Sequence, residues 1–349
     1  MMWLTWRQYR GQLVAAAVGL VALAVVLVIT GLNLVHLYGT TVAHCKQEGC
    51  SSARAAFLQN DASLLAALGA LVTVVPGLIG VFWGAPLIAR ELETGTYRVA
   101  WTQSVTRIRW VALKLAVVGI ASLAVAGLLS LMVTWWASPL DQVTMNPFGS
   151  FDQRDIVPIA YAAFAFALGV ITGVLIRRTV PAMAATVVGF TAARVAVLEW
   201  VRPNLAAPIH LTAADNFYIA LRPPAGNLNP RDWITSNETV NAAGKVIGQN
   251  GIIGNGINVS IGSHGMTIAG VGSCPNITIP GPAVPAGGPG PAGHLLVQKC
   301  LNQLGVHDLL TYQPVSRYWA FQWYEFAIFL VLTFIVVGIC FWLVRRRLA

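Results

Sequence analysis

Charge is scarce in this 349-residue chain: Asp, Glu, Lys and Arg make up 10% of it, against 56% hydrophobic residues and a mean hydropathy of +0.67. A water-soluble globular protein carries about 25% charged residues, so this chain has too few to cover a water-facing surface. The shortage excludes a soluble enzyme, a DNA-binding factor and a disordered regulator. Acidic residues are the rarer sign, 13 against 22 basic ones, leaving a net +9. On a soluble protein such an excess invites a nucleic-acid reading; here the question is where the few positive residues sit. The six histidines, His36, His44, His210, His264, His294 and His307, all fall between the long apolar runs or at their borders. A haem protein or proton relay built on histidines within its spans is thereby disfavoured. No H-E-x-x-H, G-x-S-x-G or G-x-x-x-x-G-K-[ST] occurs, so the chain carries no zincin site, nucleophile elbow or P-loop of its own.

Long apolar runs are present instead. A hydrocarbon core about 30 Å thick needs about 20 mostly apolar residues per helix. Six runs meet that length, at about 12–35, 63–89, 111–137, 156–176, 180–200 and 319–344. The first has no charge, the second carries Pro76 and Pro86, and the third is interrupted only by Lys114. The predicted fold is an all-α polytopic membrane protein of six spans. The first run exceeds the about 7–15 residues of a signal-peptide core and no A-x-A follows it. Val42-Ala43-His44-Cys45 has the outline of a lipoprotein cleavage site, but His44 is too large for the position before the cysteine.

Short loops rich in Lys and Arg favour the cytoplasm. Arg7 and Arg10 precede span one, and Arg90, Arg98, Arg107, Arg109 and Lys114 lie between spans two and three. Arg177 and Arg178 join spans four and five, and Arg345, Arg346 and Arg347 follow span six. These are 12 of the 22 basic residues, and an even number of spans puts them all on one side. The expectation is a multi-pass plasma-membrane protein with both termini cytoplasmic. Trp3, Trp6, Arg7, Tyr9 and Arg10 are expected to form an interfacial helix, with aromatic rings at headgroup level and arginines on anionic lipid.

On the opposite side lie four of the five cysteines, Cys45, Cys50, Cys274 and Cys300. An exported loop permits disulfides, and the most local pairings are Cys45–Cys50 and Cys274–Cys300, although four cysteines allow three connectivities. A metal reading, with His36 and His44 near the first pair, lacks a tight C-x-x-C and a second ligand pair. Cys340 falls within span six as a packing residue. The segment 201–317 is the largest water-exposed piece. Alternation such as Ile257-Asn258-Val259-Ser260-Ile261, set among glycines, predicts short strands and a small, partly β-rich extracytoplasmic cap between spans five and six. Pro280 to Pro291 reads as a linker or ordered loop, and His294 to Leu310 has helical spacing.

Ionisable residues within the spans are few: Arg194, Glu199 and Glu325, all near outer ends. They can line a polar pathway, pair with one another, or reach the interface. With no carboxylate at mid-span, ion-coupled transport is disfavoured. The most informative stretch is ARELETGTYRVAWTQSVTRIRWVALK, residues 89–114, too polar for the membrane yet patterned. Leu92, Val99, Val105 and Trp110 punctuate charged and hydroxyl residues, and Gly95 separates two candidate short helices along the inner surface. Read plainly this is a solvated basic loop; read more sharply it is a docking element, with Glu91, Glu93, Arg98, Arg107 and Arg109 as ion-pair partners.

The pattern Glu91-x-Glu93-x-Gly95-Thr96, then Ser104-Val105-Thr106-Arg107, then Lys114 opening span three, resembles the permease subunits of ABC-2 type exporters, the short actinobacterial branch in particular. Tyr312-Gln313-Pro314 followed by Trp319, Phe321 and Trp323 adds to that resemblance. Many members of the family have Pro where Ser104 stands, and the segment 201–317 is longer than the family's usual connection. The resemblance implies a permease without nucleotide or other cofactor of its own, ATP and Mg being held by a separate cytoplasmic ABC ATPase in two copies. It implies ATPase coupling at Glu91, Glu93, Gly95, Thr96, Arg98, Ser104, Val105, Arg107, Arg109 and Lys114, and a second permease, identical or homologous. The partners are then the ATPase, the second permease and the lipid bilayer, with no nucleic acid. The expected function is ATP-driven export of a hydrophobic or amphipathic substrate such as a lipid, drug or peptide. A membrane-anchored binding or sensor protein working through 201–317 is the alternative. An outer-face enzyme would need a convergent acid–base pair, for which Asp215, Asp232, His210 and His294 are crude candidates with no supporting spacing.

Overall fold

The computed structural model describes residues 2–42, 57, 59, 62–95, 106–141, 143, 146–213, 228, 229, 231–249, 252–253, 258–262, 265–269, 277–280 and 307–347. Six helical stretches are long and apolar enough to cross a membrane. Helix α1 is Met2–Leu37, α2 is Ala62–Ile79, α3 is Ala85–Thr94 and α4 is Arg107–Asp141. Helix α5 is Val157–Ile176, α6 is Thr179–Ala196 and α7 is Tyr318–Arg347. Helices α2 and α3 form one span joined by a π-helical turn, Gly80–Gly84. Pro76 lies inside α2 one turn earlier; its missing N–H and its ring disturb the helical ladder, and a wide turn absorbs the disturbance. The chain clusters into two compact units, residues 1–205 with 318–349, and residues 206–317.

Within the helical unit, α5 is the central element and is buried along most of its length. Its small residues explain why. A methyl group added at Gly173 would stand 2.6 Å from the Ala85 carbonyl oxygen, and one at Gly84 equally close to that of Phe166. A methyl at Gly169 would stand still closer to the Gly80 carbonyl oxygen, and one at Gly80 would meet that of Ala165. The two Gly-x-x-x-Gly pairs, 80/84 and 169/173, thus let the backbones of spans two and four touch, which is how helices gain packing in lipid, where burying apolar side chains brings little. Around this crossing lies a core that includes Trp83, Leu87, Trp110, Phe166 and Leu343. A second core joins α1, α2 and α4 through Leu27, Leu68, Val72, Leu129 and Trp136, and the Trp136 indole donates to Thr30 Oγ1 at 3.0 Å. The remaining faces of α1, α6 and α7 expose Val14, Ile29, Val188, Phe334 and Ile335, the surface expected of helices solvated by lipid.

Residues 2–9, where the interfacial helix is expected, are helical and continuous with α1; the side chains of Trp3, Trp6, Arg7 and Tyr9 lie outside the described residues. Likewise 89–94 is no separate surface helix. It is the end of the second span, with Ala85, Leu87, Ile88 and Ala89 buried.

The other unit is β-rich. Strands β1 Ile209–Ala213, β2 Trp233–Val240, β3 Val246–Gln249, β4 Ile252–Ile253 and β8 His307–Gln313 form an antiparallel sheet in the order β1-β8-β2-β3-β4. Strands β5 Asn258–Gly262, β6 Gly265–Ala269 and β7 Ile277–Pro280 form a second, three-stranded one. The alternating run at 257–261 is largely β5. The helix expected to extend to Leu310 is overturned at its end, because His307–Gln313 pairs with both β1 and β2 as a strand. Leu309 and Leu310 face opposite sides of a sheet, and Leu310 is the one packed with Leu228 in the small core.

Candidate functional site

Charged side chains gather at both ends of the helical unit, in different ways. At the end formed by the last turns of α4 and α6 and the first turns of α5 and α7, four ionised groups meet, two of them buried and two partly exposed. Arg202 sits in a short 3-10 turn after α6 and is 5% exposed; Glu325, on α7, is 1% exposed. Arg202 donates from Nε to Glu325 Oε2 and from Nη2 to Oε1, both at 2.8 Å, a two-point fork. The same guanidinium forms an ion pair with Asp152 of the 3-10 segment Pro147–Gln153. The Tyr161 hydroxyl lies within hydrogen-bond reach of both carboxylates, 2.9 Å from Asp152 Oδ1. Arg194 completes the set, with Cζ 3.7 Å from the centre of the Tyr161 ring and Nη2 3.6 Å from Asp152 Oδ2.

A polar scaffold positions this cluster. Asp155 adopts φ 63°, an unusual conformation for a residue with a side chain. Two hydroxyls of α4 hold its backbone, Ser130 Oγ donating to its carbonyl at 2.8 Å and Thr134 Oγ1 accepting from its N–H at 3.2 Å. Tyr318 donates to its carboxylate at 2.6 Å. Gln322, fully buried, donates to the Phe151 carbonyl at 3.1 Å and accepts from Val157 N at 3.3 Å. The segment 147–157 is thereby fixed to α4 and α7. Two carboxylates face two guanidiniums, so the cluster is neutral overall, and its geometry is that of a clamp joining four chain segments.

At the opposite end the pairing is local and the described arginines there are exposed. Lys114, 4% exposed, is ion-paired with Glu91 across spans two and three, and its ammonium lies 4.8 Å from the Trp110 ring centre. Glu93 Oε2 accepts from Thr179 N at 3.0 Å and Thr179 Oγ1 at 2.7 Å. The residue preceding α6, Arg178, offers no side-chain acceptor, so α3 supplies the missing N-terminal cap and ties span two to span five. Gly95 ends α3 at φ 72°, a conformation that glycine adopts without strain. Around these contacts Arg10, Arg90, Arg109, Arg177, Arg178, Arg345 and Arg346 are exposed.

Several expectations are altered by these contacts. Glu91 and Glu93, read as ion-pair partners for a docking protein, are engaged within the chain. Arg194 and Glu325 enter one cluster, bridged by Asp152 and Tyr161. Glu199 is exposed and stays outside it. Glu325 on α7 and Asp152 just before α5 are the carboxylates of the cluster, each paired with arginine. Asp152 and Arg202 were missed because both fall just beyond the apolar runs, where a charge reads as solvated. Gly95, Arg109 and Lys114 are described; Thr96, Arg98, Ser104, Val105 and the Arg107 side chain lie outside the described residues, as do Cys45, Cys50, Cys274 and Cys300. Asp232 ties its own loop to the turn after β8, accepting from Asn229 N at 3.0 Å and Val315 N at 2.8 Å, and His210 contacts Thr311 Oγ1 at 3.1 Å. Asp215 and His294 are outside the described residues.

A family model described as ABC-2 membrane transporter related matches residues 17–202, more than half of the chain. The chain belongs to this family. No curated protein and no solved structure matches it. The ABC-2-related match covers most of span one and the whole of spans two to five, including the Glu91–Lys114 pair, the Glu93 cap and Asp152, Arg194 and Arg202 of the buried cluster. Glu325, their remaining ionised partner, lies on α7 beyond the matched stretch.

Proposed function

We propose that this chain is the membrane-spanning subunit of an ATP-driven exporter, with its basic end in the cytoplasm. It moves a hydrophobic or amphipathic substrate across the plasma membrane, and separate ATPase subunits supply the energy. Membership of the ABC-2-related family carries this reading. The paired carboxylates support it from another direction. A proton- or cation-coupled carrier needs a carboxylate whose occupancy changes during the cycle, whereas Glu325 and Asp152 are each held by arginine.

Coupling then occurs at the basic end. The exposed Arg90 and Arg109 lie at the facing ends of spans two and three, and Arg177 and Arg178 lie beside the end of α3 through the Glu93–Thr179 contact. Because Glu93 is bound to the start of α6 and Glu91 to Lys114 on α4, a push on the end of α3 passes to spans two, three and five together. Two ATPases and a second permease, identical or homologous, complete the assembly, with ATP and Mg bound by the ATPases.

Purification of the full chain from its native membrane tests the reading. An ABC ATPase is expected at equal stoichiometry, and lost from the double variant Arg90→Glu/Arg109→Glu while the chain itself still inserts. Recovery of the wild-type chain with no ATPase overturns the proposal.

A further inference from the structure

Between α2, α4 and the 3-10 segment Pro147–Gln153 lies a cavity of about 210 Å³. One wall is apolar, with Leu65, Val133 and Leu140; the other is polar, with Asp141, Gln153 and Arg154. The Arg154 side chain is 7% exposed and its Nη1 is ion-paired with Asp141, yet its buried Nε finds no acceptor among the described residues. A buried guanidinium N–H without a partner is costly, and a ligand oxygen would relieve it.

We infer that this cavity binds the uncharged, oxygen-bearing end of an amphipathic molecule, of the acyl-ester or long-chain alcohol class. Three observations set the class. The Arg154 charge is already balanced by Asp141, which also lines the cavity, so an anionic head meets a carboxylate where a carbonyl or hydroxyl oxygen accepts from Nε. The facing wall of Leu65, Val133 and Leu140 takes hydrocarbon. The volume is below the about 300–1,000 Å³ of pockets that enclose a drug-sized ligand, so one end of a longer molecule enters and the chain remains outside. Resident membrane lipid and exported cargo share this chemistry. As a statement about cargo the inference rests on the export reading; as a binding site it does not, because occupancy needs neither ATP nor a partner.

The test uses the full chain in maltoside detergent and three diazirine probes of equal chain length: a monoacylglycerol, the corresponding fatty-acid anion and the alkane. Peptides from α2 and α4 are then read by mass spectrometry. The monoacylglycerol is expected to label the 62–69 and 133–141 peptides at least tenfold above the other two probes. Arg154→Lys keeps a cation for Asp141 and removes the Nε–H. Gly69→Ala puts a methyl 2.5 Å from the Gln153 amide oxygen and drives that flexible amide toward the cavity. Each should lower labelling at least fivefold, with labelling of the lipid-facing side of α1 and the thermal midpoint unchanged for Gly69→Ala. Equal labelling by all three probes, a preference for the anion, or labelling indifferent to Gly69→Ala overturns the inference. Extraction of the purified chain separates the sources: stoichiometric glycerolipid, lost from Gly69→Ala, identifies resident lipid, and its absence beside positive labelling identifies a site for cargo. The absence of an ATPase in co-purification would overturn only the export reading.

Discussion

The two ends of the helical unit hold their charge in opposite fashions. At one, Asp152, Arg194, Arg202 and Glu325 are drawn inward and bind one another, with Tyr161 between them. At the other, one ion pair and one helix cap are made within the chain, and seven described arginines remain on the surface. Charge paired in this way fixes geometry and has little left to offer a partner, although Arg194 Nη1 is buried without an acceptor among the described residues. Exposed charge of one sign adds little stability and is open to both lipid and protein. The comparison therefore sets a structural clamp at one end against an exposed basic surface at the other, where the proposed coupling would take place.

The most damaging single change should fall in the clamp. Arg202→Leu strands Glu325 and Asp152 without their main counter-ion, and a loss of about 3–5 kcal/mol is expected. Thermal unfolding in detergent reads it; a midpoint equal to wild type would mean that the cluster is no clamp. The helix crossing between the two ends comes next. Gly169→Ala forces a methyl against the Gly80 carbonyl, at a cost of about 1–3 kcal/mol. Gly338→Ala, where nothing lies within 4 Å, is the matched control and should leave the midpoint in place.

Smaller effects belong to the basic end. Gly95→Ala keeps a residue with a side chain at φ 72° and should destabilise by about 1–2 kcal/mol, with the loss confined to exchange protection near the end of α3. The double variant Arg90→Glu/Arg109→Glu should alter stability by no more than about 0.5 kcal/mol, since both residues are exposed, while abolishing ATPase co-purification. That pair of outcomes, a large stability loss without loss of surface at one end and the reverse at the other, sharpens the contrast. A large stability loss from the arginine pair breaks it.

Much of this division is legible in the sequence, but unevenly. The six apolar runs and the arginines between them stand out because a bilayer imposes length and charge rules on each segment alone. The Gly-x-x-x-Gly spacings at 80/84 and 169/173 are also readable, as signals of close helix approach, although they do not reveal that each pair faces the other. Asp152 and Arg202 carry no such local mark. They lie 50 residues apart in different connections, and only packing of the chain ends brings them to one ion pair. Glu93 illustrates the same limit from the other end. Its motif is conspicuous and invites a docking role, yet the acceptor that α6 lacks is decided by where α3 ends.

By itself the sequence determined that this chain lives in a membrane, that six helices cross it, and that a basic excess marks one set of connections. These follow from hydropathy and charge, which act on each segment without reference to its neighbours. Tertiary structure alone decided which charges are buried together, which helix end is capped by another helix, and where a cavity forms between them. Those outcomes depend on distances between segments remote in sequence, and burial gives them their energetic weight: a carboxylate beside an arginine inside the bundle is a clamp, and the same carboxylate at the surface is a solvated charge.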